Sequence, residues 1–240
     1  MNTMNNKSKA TVASCLQCET REHSVMCSLK APYFEQLEKN KTTLNYKKGT
    51  PLFQEGSHSI GVYCIKEGKI KITKLGDLGR EQIIGLAKPG DLIGYRSVFG
   101  DRMSTSAIAL EDSVVCFIPK EPFLETLKEA PDFSMDLFRL ISSDLKRSDQ
   151  LITHLAQKPV RERTAEALIL LHDTYGTLSD EKTLDVQLSR DEIANMIGTA
   201  METAVRFLNE FKRDGIIDLS GKKIKILKKD ELAKIANMYD

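Results

Sequence analysis

Three of the five cysteines fall within CLQCETREHSVMC, residues 15 to 27, in the spacing C-x2-C-x8-C. Thiolates at such spacing bind metal, because a C-x2-C pair can offer two sulfurs to one zinc or iron. Three sulfurs leave a tetrahedral ion or a cubane cluster one ligand short. Cys64 and Cys116 lie far along the chain in the apolar stretches VYCIKEG and SVVCFIPK. There a cysteine reads first as a small buried hydrophobe. His23 lies inside the cysteine loop and reads as a surface side chain, while His58, His154 and His172 show no metal-ligand spacing.

A second constellation occupies LSRDEIANMIGTAMETAVRFLNEFKRDG. Ser189 and Glu192 have the S-x-x-E form of a capping box that starts a helix. Ile193, Ala194 and Ile197 form its apolar face, and Gly198 ends it at the C′ position. A second helix from about Thr199 or Ala200 carries Ala204, Phe207, Leu208 and Phe211 inward. A hairpin, IIDL-SGKK-IKIL, follows with Ser220 and Gly221 at its turn. Two short helices, a glycine turn and a lysine-rich hairpin predict a winged helix-turn-helix.

In such a module the first turns of the second helix enter the major groove. Arg206 can donate two hydrogen bonds to guanine O6 and N7, and Glu202 can accept from cytosine N4. Thr199 and Glu202 also fit T-x-x-E, a second capping box with a purely structural role. The candidate DNA-contacting residues are Ser189, Arg190, Thr199, Met201, Glu202, Thr203, Val205, Arg206, Lys222 and Lys223. The whole chain carries a net charge of only +1, which gives no general attraction to nucleic acid. From Ala204 to Lys229, however, eight basic side chains face three acidic ones. That is a candidate phosphate-facing surface.

The remaining elements position these groups. With 41% hydrophobic and 29% charged residues, the chain has an ordinary soluble composition. No apolar run is long enough to cross a bilayer, and MNTMNNKSKATVAS lacks the apolar core of a secretory signal. A cytoplasmic location is expected, where thiols stay reduced. Between about residues 40 and 120, short alternating apolar stretches are punctuated by glycines, which predicts a β-sandwich or barrel. In GKIKITKLG, Ile70, Ile72 and Leu75 nearly alternate with lysines, as in a half-buried strand. From Pro131 the period becomes helical: Leu137, Ile141, Leu145, Ser148, Ile152 and Leu155 form one stripe that ends near Pro159. The stripe packs either on its own domain or against a copy of itself as a coiled-coil seam.

Together these features resemble the Crp/Fnr superfamily of bacterial transcription regulators, over nearly the whole chain. METAVR, residues 201 to 206, is similar to the family's recognition helix, whose glutamate and arginine fall at Glu202 and Arg206. Val205 stands where the Fnr branch usually has serine, so the base preference there need not follow the family's. The resemblance implies an α+β chain: a cysteine-bearing segment (1–30), a β-roll sensor resembling the cyclic-nucleotide-binding jelly roll (31–130), a long dimerisation helix (131–158) and a winged helix-turn-helix (159–240). It implies a homodimer on palindromic double-stranded DNA, with RNA polymerase as a further partner and no enzymatic activity. No cyclic nucleotide is expected, because Tyr95 and Thr105 replace the glutamate and arginine that hold it, leaving its phosphate without a cation.

The Fnr branch carries three N-terminal cysteines and one in the roll. By that resemblance Cys15, Cys18, Cys27 and Cys116 would hold a 4Fe-4S cluster, and Cys64 matches no ligand. The gap between Cys18 and Cys27 is longer than the family's, at little closure cost. The resemblance implies that the intact cluster favours dimerisation and DNA binding, and that oxygen degrades it. The competing readings are a cluster-free regulator of the same fold (sensing heme-bound nitric oxide or binding DNA constitutively), a ferredoxin-like redox protein, and a zinc-stabilised module.

Overall fold

The computed structural model describes residues 18–77 and 79–237. Two 3-10 turns, Glu19–His23 and Val25–Ser28, precede α1 (Ala31–Asn40). Eight strands follow: β1 (Thr42–Tyr46), β2 (Pro51–Phe53), β3 (Gly61–Glu67), β4 (Ile70–Leu75), β5 (Glu81–Ala87), β6 (Leu92–Ile93), β7 (Ser106–Ala109) and β8 (Ser113–Pro119). They pair into two four-stranded sheets, β1-β8-β3-β6 and β2-β7-β4-β5. All the pairings are antiparallel, as the glycine-punctuated alternation predicts. Phe53, Tyr63 and Phe117 pack between the sheets, with Tyr63 5.3 Å and 5.1 Å from its two neighbours.

The alternation in β4 differs from the expectation. A bulge between Ile72 and Thr73 shifts its register with β5, and Lys71 and Thr73 are buried while Leu75 is exposed. Periodicity assumes that one face meets water. Here the C-terminal helices cover the face that carries Lys71, and its Nζ lies 3.0 Å from Glu192 and 3.5 Å from Glu81.

After α2 (Lys120–Glu129) comes the long helix α3 (Pro131–Gln157). Pro131 occupies its first turn, where no N–H is needed, and Lys158 is extended because Pro159 follows. Phe133 and Leu137 pack with Phe34, Leu37, Phe123 and the β-roll. Leu137, only 3% exposed, therefore belongs to the core of the chain itself rather than to a seam, which corrects its place in the expected stripe. Beyond it Phe138, Ile141, Leu145 and Ile152 are exposed, three of them by more than 60%. Ser148 is half-buried and its Oγ donates to the Asp144 carbonyl, at 2.9 Å. Leu155 is also half-buried, near the turn at Gly198.

The chain ends with α4 (Val160–Tyr175), α5 (Arg190–Ile197), α6 (Met201–Arg213), the hairpin β9 (Ile217–Ser220) and β10 (Lys223–Ile226), and α7 (Lys229–Ile235). Their core continues into the β-roll through Ile83 and Leu110. Across this junction Gln82 Nε2 donates to the Met196 carbonyl at 3.2 Å, and Lys69 meets Asp185 at 3.1 Å. The Tyr175 hydroxyl reaches the Ile70 and Ala87 carbonyls at 3.2 and 3.3 Å. Among the described residues, no helix is long and apolar enough to cross a membrane.

Candidate functional site

The helix-turn-helix is built as its sequence predicts. Ser189 Oγ accepts from Glu192 N–H and the Glu192 carboxylate accepts from Ser189 N–H, so both halves of the capping box are made. Gly198 takes the left-handed conformation at φ 65° and ends α5. A side chain there would also meet Leu155 Cδ2 at 2.7 Å. The second helix begins one residue later than the T-x-x-E pattern requires: its N-cap is Ala200, without a side-chain cap, so Thr199 and Glu202 form no second capping box. Ala204, Leu208 and Phe211 turn α6 onto α5, and Arg161 anchors it by donating to Glu210 at 2.7 Å.

Of the candidate DNA contacts, Met201, Glu202 and Arg206 are exposed on the first turns of α6, and Thr203 and Val205 are half-buried. The Arg206 guanidinium lies 4.7 Å over the half-buried Phe207 ring. The wing turn falls at Gly221 and Lys222, since Ser220 still pairs with Lys223. Gly221, at φ 58°, fills the first loop position that a tight hairpin of this type reserves for glycine. This moves the turn one residue from the expectation and puts Lys222 and Lys223 at the exposed tip. Arg190 Nη2 donates to the Gly221 carbonyl at 3.0 Å, joining the start of α5 to the wing. Arg190 thus ties the start of α5 to the wing tip, while Lys212, Lys225 and Lys229 of the basic run are paired with Asp218, Asp180 and Asp173. A groove-sized helix beside a cationic hairpin is suited to double-stranded DNA.

In the roll, Tyr95 and Arg96 lie on a 3-10 turn, Tyr95–Ser97. The Tyr95 hydroxyl donates to Asp144 of α3, and Arg96 Nη2 donates to the same oxygen at 2.8 Å. Burial pushes the Tyr95 phenol well up, and the carboxylate it bonds adds to that shift. Thr105 is buried nearby. The one strong cation of this turn is therefore already neutralised by a carboxylate of the chain itself. Asp144 had no signal in the sequence, because a polar residue beside an apolar stripe reads as solvated.

Cys15 lies outside the described residues. The wide gap between Cys18 and Cys27 folds into the two 3-10 turns. Ser24 Oγ accepts from Met26 N–H, Arg21 Nη2 donates to the Leu29 carbonyl at 3.2 Å, and the Arg21 guanidinium lies 4.1 Å over Phe34 of α1. The segment also rests on the Gly90 turn, where an added Cβ would meet the Thr20 carbonyl at 3.1 Å. Cys18 Sγ lies 3.2 Å from Thr20 Oγ1, and Cys27 is exposed. Cys116, half-buried on β8, packs against the apolar cluster that contains Met26, and the turn Val25–Ser28 packs on α3. Among the described residues, no three His, Cys, Asp or Glu side chains are gathered for a metal ion. The donors are nonetheless of the right chemistry, since Cys18, Cys27 and Cys116 carry thiols, which are soft ligands.

A β-roll, a long helix and a winged helix-turn-helix define a DNA-binding regulator. The comparisons agree. A cyclic nucleotide-binding domain profile matches residues 43–130, and a Crp-like helix-turn-helix domain profile matches residues 162–235. The transcriptional activator protein anr of Pseudomonas aeruginosa is 30% identical over 226 residues, covering 93% of each chain. The fumarate and nitrate reduction regulatory protein of Vibrio cholerae is 29% identical, covering 93% of this chain and 90% of its own. The structure of FixK2 from Bradyrhizobium japonicum superposes with a TM-score of 0.75 at 22% identity, over 83% of this chain and 99% of that one. The chain belongs to the Crp/Fnr family of transcriptional regulators, and it is not an enzyme.

Proposed function

We propose that this regulator binds a palindromic operator as a cytoplasmic homodimer and senses oxygen or a related redox signal through a 4Fe-4S cluster held by Cys15, Cys18, Cys27 and Cys116. The observation that carries the reading is the position of the Cys27 turn, which packs on α3 and on the same apolar cluster that takes Cys116. A cluster bound there would supply a redox-labile cross-link between the N-terminal segment and β8. The chain's own residues do the rest. Arg21 and Ser24 fold the cysteine loop, and the turn Val25–Ser28 transmits its position to α3. The exposed stripe of Phe138, Ile141, Leu145 and Ile152 would bury itself against a second copy.

Two copies related by a two-fold axis would present two α6 helices to successive major grooves, with Glu202 and Arg206 on base edges and Arg190, Lys222 and Lys223 toward phosphates. RNA polymerase is the expected partner of the DNA-bound dimer. The Asp144 carboxylate on Tyr95 and Arg96 speaks against a cyclic nucleotide, whose phosphate would have to compete for the same cation. Anaerobic purification tests the reading. A brown protein with about four irons per monomer supports it, and Cys116→Ala should lose both iron and sulfide. A colourless wild type with unchanged DNA affinity would leave a cluster-free regulator of the same fold.

A further inference from the structure

Cys64 has no part in this function, yet the fold sets it directly opposite Cys116. From Gly61↔Pro119 through Ile65↔Val115 the β3–β8 register is unbroken, and it pairs Cys64 with Cys116. Both belong to one face: Cys64 is a member of the apolar cluster against which Cys116 packs. The bond from Lys120 N–H to the Ile60 carbonyl, 2.9 Å, extends the same ladder. Bonded positions recur every second residue, so Cys64 and Cys116 form a hydrogen-bonded pair with Cα atoms about 5.5 Å apart. That separation lies inside the roughly 4.4–6.8 Å that disulfides span. Their Cβ atoms, about 4.5–5.5 Å apart in such pairs, must close toward ~3.8 Å. The resulting bond would be strained, and strained disulfides are the easily reduced, regulatory kind.

We propose that Cys64 and Cys116 form a reversible cross-strand disulfide in the cluster-free protein, with a hydroperoxide as oxidant. Cys116 is the more accessible thiol and reacts first. Its sulfur attacks the peroxide oxygen, the O–O bond breaks, and an alcohol (water, from hydrogen peroxide) leaves a sulfenic acid behind. Cys64 attacks that sulfur, the S–S bond forms, and the S–O bond breaks to release water. Two thiols thereby lose two electrons and two protons, and one peroxide is reduced. The disulfide removes Cys116 from the pool of thiolate ligands. That last consequence rests on the proposed cluster; the disulfide itself does not.

The full chain, stripped of metal by a chelator under reductant and then freed of both, is treated with hydrogen peroxide, alkylated, digested and weighed. The expected product is a Cys64–Cys116 linked peptide that dithiothreitol reverses. It persists when Cys15, Cys18 and Cys27 are all replaced by serine. In Cys64→Ala, Cys116 instead proceeds to sulfinic and sulfonic acids. Linkage of Cys116 to an N-terminal cysteine, a reduced and alkylated Cys116 in the peroxide-treated wild type, or equal yields of sulfinic acid at Cys116 in wild type and Cys64→Ala, overturns the proposal. Iron and sulfide uptake separates the two readings: oxidised protein should take up neither until reduced. Failure of the reduced protein to take them up would count against the cluster and not against the thiol pair.

Discussion

Arg206 stands one turn beyond Glu202 on the exposed face of α6, while Lys222 and Lys223 stand at the wing tip that Arg190 holds. On the proposed reading these positions separate two kinds of recognition, because base edges carry sequence and phosphates carry only charge. Arg206→Ala should cost about 1–3 kcal/mol on the specific operator and little on unrelated DNA. Replacing Lys222 and Lys223 together should weaken all sequences alike and lower the salt slope of binding by about 2. Titrations at several salt concentrations read both effects, and a uniform loss for Arg206→Ala would make it a phosphate contact. Gly198 is tested by stability instead. Alanine there must adopt φ 65° against Leu155, which should cost about 1–2 kcal/mol and lower Tm by roughly 2–8 °C. Gly198 and the Ser189–Glu192 box were legible in the sequence because capping is local chemistry. The pairing of Cys64 with Cys116 was not, since strand register joins residues that periodicity treats separately.

At the scale of elements, α3 carries one apolar stripe that is covered differently along its length. One end packs Phe133 and Leu137 into the chain's own core, and the buried Asp144 ties the same side to Tyr95 and Arg96. Further along, the stripe exposes Leu145 and Ile152, with the half-buried Ser148 between them one turn beyond Asp144. The sequence showed the stripe but not what covers each part, so Leu137 was legible as apolar and not as core. Asp144→Asn keeps the shape and removes the charge that Arg96 meets. Loss of a hydrogen bond to a charged group costs about 1.5–3 kcal/mol, so Tm should fall by roughly 3–12 °C. Thermal melts with Tyr95→Phe alongside would show a smaller loss, since the charged pair remains. Ser148→Leu acts one turn beyond Asp144 on the same stripe. A buried leucine contributes about 1.5–3 kcal/mol, and each dimer would gain two, so dissociation should tighten at least about a hundredfold. Sedimentation of the cluster-free protein in air measures this, and an unchanged monomer–dimer equilibrium would sink the assignment of that stripe.

Over the whole molecule, the C-terminal helices and the β-roll share one core, and a single carboxylate belongs to both. Glu192 completes the capping box of α5 and also meets Lys71 of β4 at 3.0 Å. Nothing local predicts this junction: Lys71 alternates with isoleucines like any solvated lysine, and its burial arises only when α5 lies across β4 and β5. Burial works to raise the Glu192 pKa, but the Ser189 N–H and the Lys71 ammonium outweigh it, and the carboxyl sits below its ordinary 4.5. A depressed acid stabilises the folded state above its unfolded pKa and loses that contribution as pH falls through its folded pKa. The docking of the two halves should therefore be intact at neutral pH and weaken below about pH 4.5. Lys71→Met removes the cation and leaves Glu192 part-buried with only its cap bonds, at a cost of about 2–4 kcal/mol at pH 7. With its pKa less depressed, the variant should lose less stability than wild type between pH 5 and pH 3. Denaturant unfolding across that window reads the difference, together with faster amide exchange in α5 and β5 of the variant at pH 7. Equal acid sensitivity in the two proteins, with unchanged exchange at the junction, would show that Lys71 and Glu192 do not hold the β-roll to the C-terminal helices.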